Sequence, residues 1–238
     1  MENRQYNVQK SQGITIKRGS GTAAISPEAS KVLRNTYSLL AMTLLFSAVM
    51  AGISMSIGLG RGVSLICMLG ALALVWLVLP RTANSSAGIG VVFAFTGLLG
   101  LSLGPTLTYY LSMSNGGQIV MQALGGTAVV FFALSGYVLT TKKDFSFMRG
   151  MLVAGLVVVL VALVGSVIAG MFGVDISTFS LALSAAIVFL MSGFILYDTS
   201  RIVNGGETNY IMATTGLYLN IYNLFLSLLH LIGAFSNE

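Results

Sequence analysis

Seven long apolar runs, parted by short polar connections, set the pattern of this 238-residue chain. They fall at residues 37–56, 63–79, 89–107, 119–140, 151–172, 179–202 and 210–235. Crossing about 30 Å of hydrocarbon takes roughly 20 helical residues, so each run is long enough to span a bilayer. The third run carries Gly104 and Pro105 near its end, where an interruption is expected. Gly100 and Gly104 also form a small-xxx-small pair, suited to close helix packing within the chain or between copies. The expected fold class is an all-α membrane protein, a bundle of seven transmembrane helices.

Composition strengthens this reading. Hydrophobic residues make up 55% of the chain and charged residues 8%, with a mean hydropathy of +0.89. A soluble domain carries roughly 25% charged residues. The 28 glycines suit helices that approach closely in lipid better than a barrel of alternating strands. Cys67 is the single cysteine, so no intrachain disulfide can form.

Lys and Arg then orient the bundle. Arg4, Lys10, Lys17, Arg18, Lys31, Arg34, Arg81, Lys142, Lys143, Arg149 and Arg201 fall on one side of a seven-span topology, and Arg61 alone falls on the other. Short cytoplasmic loops retain positive charge, which places the amino terminus inside and the carboxyl terminus outside. A six-span alternative with a re-entrant last segment would bring both ends inside. Ser236, Asn237 and Glu238 carry no positive charge to hold that end there. The polar first thirty residues form a mobile cytoplasmic tail in this reading, ahead of a transmembrane domain over 31–238, and no cleaved signal peptide is expected. The tail charges serve topology and attraction to anionic headgroups, or act as a handle for a partner. The pI near 9.5 does not indicate nucleic acid as a partner, because the basic residues lie along one membrane face without aromatic interleaving.

Candidate chemistry is sparse. His230 is the one histidine and lacks titratable neighbours in sequence, which argues against a zinc hydrolase, and no cofactor is implied. No Gly-x-Ser-Gly sequence supports intramembrane serine catalysis. Tyr197-Asp198 has the form of one half of an intramembrane aspartyl protease, but such chemistry needs two carboxylates sharing a proton, and no second acid falls in another run.

Asp198 is nevertheless the most informative residue, the one acid expected within a membrane span. Arg201, three residues on, and Arg81, at the end of the second run, are its candidate ion-pair partners. Burial and a nearby guanidinium act on a carboxylate's protonation in opposite directions, which makes Asp198 a candidate pH latch. In the last run Gly216, Asn220, Asn223, Ser227 and His230 step by four, three, four and three, and so share one helical face. Such a stripe either supplies interhelical hydrogen bonds or lines a hydrated ion path together with Asp198.

Several segments resemble the Bax inhibitor-1 (TMBIM) family. They are Phe194-Ile195-Leu196-Tyr197-Asp198, Leu217-Tyr218-Leu219-Asn220, Asn223-Leu224-Phe225 and Lys142-Lys143-Asp144-Phe145-Ser146-Phe147. Lys31-Val32-Leu33-Arg34-Asn35-Thr36-Tyr37, Ala94-Phe95-Thr96-Gly97, Ala123-Leu124-Gly125-Gly126-Thr127-Ala128, Tyr137-Val138-Leu139-Thr140-Thr141 and Gly205-Gly206-Glu207-Thr208-Asn209-Tyr210-Ile211 resemble its bacterial YccA-like branch. The resemblance implies a seven-helix bundle with the last helix central. It also implies one of two roles. Family members acting as pH-dependent calcium leaks use paired Asp residues on the sixth and seventh helices with an Arg latch, positions held here by Asp198, Asn220 and Arg81. An amide at Asn220 breaks that two-acid pattern. The YccA-like branch implies instead a non-enzymatic partner of the membrane AAA protease FtsH in the bacterial inner membrane, engaged through the amino-terminal tail.

Overall fold

The computed structural model describes residues 25–236. Seven helices in it are long and apolar enough to cross a membrane: α1 Pro27–Ser56, α2 Arg61–Thr82, α3 Ala87–Leu111, α4 Gly116–Thr141, α5 Ser146–Met171, α6 Ser177–Val203 and α7 Tyr210–Phe235. The apolar runs locate all seven, and the bounds of α7 coincide with its run. Most of the tail, residues 1–24, lies outside the described residues.

α1 starts ten residues ahead of its apolar run. Ser26 caps it, its hydroxyl accepting from the Ala29 amide at 3.1 Å, while Pro27 and Glu28 occupy the first turn. A proline is preorganised there and an acid complements the exposed amides, so helix begins where hydropathy is still low. The segment 27–30, expected in the mobile tail, is therefore helical.

The interruption expected at Pro105 does not occur, and α3 runs through it to Leu111. Proline removes the donor that Leu101 C=O would normally receive, and the Ser54 hydroxyl of α1 supplies one at 2.7 Å. Gly104 permits that approach, since a Cβ there would collide with the Ser54 side chain. Gly100 likewise leaves room for the Ser47 backbone. The two glycines thus serve the α1–α3 contact inside one chain.

α2 absorbs its own proline differently. A π-helical turn at Leu74–Val78 precedes Pro80, and the Leu79 amide reaches back to Leu74 C=O. Loop side chains start the later helices. The Asp144 carboxylate accepts from the Ser146 amide at 2.8 Å, Asp175 from the Ser177 amide at 2.9 Å, and Asn209 from the Ile211 and Met212 amides. The Ser177 amide and hydroxyl hold the Asp175 carboxyl below the usual carboxylate range.

α7 is the centre of the bundle, packed against α1, α3, α4 and α6. α2 rests on α3 alone and α5 on α6 alone, leaving most of their side chains facing outward. Hydrogen bonds tie α7 to its ring of neighbours: Tyr218 to Ser47 of α1 at 2.6 Å, and Tyr222 to Ser102 of α3 at 3.1 Å. Without a hydrophobic drive between helices in lipid, such bonds and close backbone packing hold the centre.

Candidate functional site

The site grows from the last turns of α6 and the first turns of α7. Asp198 faces Asn220 across this junction, and the Asn220 amide donates to Asp198 Oδ2 at 2.7 Å. Gly216, one turn earlier on α7, keeps the carboxylate uncrowded, because a Cβ there would stand 3.3 Å from Oδ2. A cavity of about 280 Å³ opens beside the pair, bordered by Asp198, Arg201, Glu207, Gly216 and by Val75 and Leu79 of α2.

Neither expected ion pair of Asp198 is formed. Arg201 binds Glu207, with Nη2 to Oε2 at 3.0 Å, and lies 5.6 Å from the Tyr197 ring centre. The loop geometry explains the choice. Gly205 adopts φ 74°, and the amides of Gly206 and Glu207 both turn back to Arg201 C=O at 2.7 and 3.1 Å. This closure delivers the Glu207 carboxylate to the guanidinium of its own helix end. Arg81 folds along α2 and donates to Leu77 C=O, outside the residues that border the cavity.

The polar stripe of α7 is consumed in separate contacts. Asn220 serves Asp198, Asn223 donates to Leu219 C=O of its own helix at 2.8 Å, and Ser227 is buried. His230 Nδ1 shares a hydrogen bond with the Ser184 hydroxyl of α6 at 2.8 Å. Ten residues separate Asn220 from His230, about 15 Å of helix. The acid–amide pair and the Ser–His pair therefore sit at two depths of one α6–α7 seam. Sequence reasoning missed Glu207 and Ser184. A Gly-Gly turn four residues after a helix-end arginine, with an acid directly behind it, was the available signal for Glu207, whereas nothing local marks Ser184.

Chemically, the arrangement offers one carboxylate clamped by an amide and one serine beside an imidazole. It defines a polytopic helical membrane protein whose central helix binds its neighbours through buried polar pairs. The comparisons with known proteins agree. The sequence profile described as inhibitor of apoptosis-promoting Bax1 matches residues 29–237. An uncharacterised membrane protein of Vibrio cholerae is 50% identical over 212 residues, 89% of this chain and 92% of that one. The modulator of FtsH protease YccA from Escherichia coli K12 is 49% identical over 208 residues, 87% of this chain and 92% of that one. An inner membrane protein YccA from E. coli O6:H1 matches to the same extent. The chain belongs to the Bax inhibitor-1 family and falls in its YccA-like branch, as a multi-pass protein of the bacterial inner membrane.

Proposed function

We propose that this chain binds and modulates the membrane AAA protease FtsH, and that it does so without catalysis of its own. The observation that carries the reading is the 49% identity, over nearly the whole of both chains, to the relative named modulator of FtsH protease. Two features support it. The polar stretch ahead of Pro27 leads directly into α1, whose first turns carry Lys31 and Arg34, so a partner gripping that stretch would pull on a helix packed against α7. The Asp198–Asn220 contact uses a carboxylate oxygen that a divalent ion would need, which disfavours the competing reading of a cation leak gated by Asp198 with an Arg81 latch.

The test is reconstitution of the full chain with FtsH in proteoliposomes, following FtsH-dependent degradation of a membrane substrate. The full chain slows that degradation and co-purifies with the protease. A chain lacking the residues before Ser26 keeps its helical circular dichroism and loses both effects. Unchanged degradation with the full chain present overturns the reading, and calcium flux through protease-free liposomes that vanishes in Asp198→Asn replaces it with the channel.

A further inference from the structure

At the face of the bundle opposite Lys142, Lys143, Arg149 and Arg201, one cation breaks the charge asymmetry. Arg61 opens α2, and the end of α3 lies beside it because the two helices run antiparallel. The Ser64 hydroxyl donates to Ser102 C=O at 2.6 Å and fixes that first turn of α2 onto α3. Between them lies a pocket of about 270 Å³, several times the roughly 30 Å³ share of a water molecule. Its walls are Arg61, Ser64, Pro105, Thr106, Tyr109 and Tyr110, polar in all but one case.

The donors of this pocket are unspent. Among the described residues the Arg61 guanidinium has no hydrogen-bond or ion-pair partner, and the hydroxyls of Thr106, Tyr109 and Tyr110 have no hydrogen-bond partner. Tyr110 is 8% exposed, its ring set against Gly233 of α7, which leaves the hydroxyl as its accessible end. Gly60 gives α2 no side-chain cap, so the amides of its first turn add positive potential beside Arg61. Asp175, the described acid of this face, is engaged by Ser177 on α6, an element with no contact to α2. A guanidinium, three hydroxyls and an uncapped helix start, with no carboxylate among them, match a tetrahedral oxyanion. The position, at the membrane end of two spanning helices with tyrosines at the boundary, matches the headgroup level of the bilayer.

We infer that this pocket binds a phosphate group, presented by a phospholipid headgroup or as the free anion. Arg61 forms the charge-assisted pair, and Thr106, Tyr109 and Tyr110 donate to the remaining oxygens. The inference is independent of the FtsH reading and uses none of the residues around Asp198.

The test uses the full chain in detergent micelles, titrated with phosphatidylglycerol or with a galactosyl diacylglycerol of the same acyl chains, and read by native mass spectrometry. Phosphatidylglycerol binds, Arg61→Gln weakens that binding about tenfold, the loss expected for one charge-assisted hydrogen bond, and Arg61→Lys restores most of it. Tyr109→Phe, which removes one hydroxyl at constant shape, gives a smaller loss in the same direction. The phosphate-free glycolipid binds at least tenfold more weakly and ignores Arg61→Gln. Equal binding of phosphatidylglycerol to wild type and a folded Arg61→Gln overturns the inference, as does equal binding of the two lipids. Inorganic phosphate, added at millimolar concentration, then separates the sources: displacement of the lipid assigns the site to the free anion, and failure to displace assigns it to the headgroup.

Discussion

Replacing Asn220 by Leu removes the donor held 2.7 Å from Asp198 Oδ2 while keeping the branched four-atom outline of the side chain. Asn220 is buried, 7% exposed, so water does not readily take the amide's place. A hydrogen bond to a charged acceptor contributes about 1.5–3 kcal/mol in soluble proteins. Side-chain bonds between membrane helices average about 0.6 kcal/mol and reach about 1.7. The bond here combines a short distance with a carboxylate, which places it near the top of the membrane range, at about 1.5 kcal/mol. For a chain of this size 1 kcal/mol moves Tm by roughly 2–4 °C, so Asn220→Leu lowers Tm by about 3–6 °C. The assay is unfolding in mixed micelles followed by helical circular dichroism, on Asn220→Leu, Asp198→Ala and the double variant. If the contact is the reason for both costs, the two losses fall short of additivity by about 1 kcal/mol. Additivity within about 0.3 kcal/mol would refute the assignment of Asp198 to Asn220 and return Arg201 to consideration.

Two further outcomes follow from the packing of α1. Gly104→Ala drives a methyl group into Ser54 and strips Leu101 C=O of its replacement donor, costing about 2–4 kcal/mol, whereas Gly125→Ala, with open space around it, changes stability by less than about 1 kcal/mol in the same unfolding assay. Tyr218→Phe removes the 2.6 Å bond to Ser47 at a nearly fully buried position and costs about 1 kcal/mol, and adding Ser47→Ala to it costs little more.

The bundle was legible in the chain because each span must be apolar along its whole lipid-facing length, and that demand writes itself into sequence one helix at a time. What escaped depends on partners distant in sequence. Pro105 reads as a break until Ser54, on another helix, is seen donating to Leu101 C=O. The start of α1 escaped for the opposite reason, since its signal is the local Ser26-Pro27-Glu28 cap and hydropathy is blind to it. The α7 stripe was visible by its spacing, and Asn220 and His230 do reach across to α6. Its partners were not, because the charge on Arg201 can satisfy either Asp198 or Glu207, and only the left-handed turn at Gly205 decides between them.

The central position of α7 also bears on how the protein comes into being. A ribosome delivers helices in order, and α1, α3, α4 and α6 leave it ahead of the helix they surround. Until Tyr210–Phe235 arrives, Ser47, Ser184 and Asp198 lack the partners that α7 supplies, and Ser102 bonds only to Leu99 C=O of its own helix. A chain cut short before Tyr210 is a ring with no axle. Molecules with and without α7 therefore differ most at their middle, where these polar pairs close inside the bilayer.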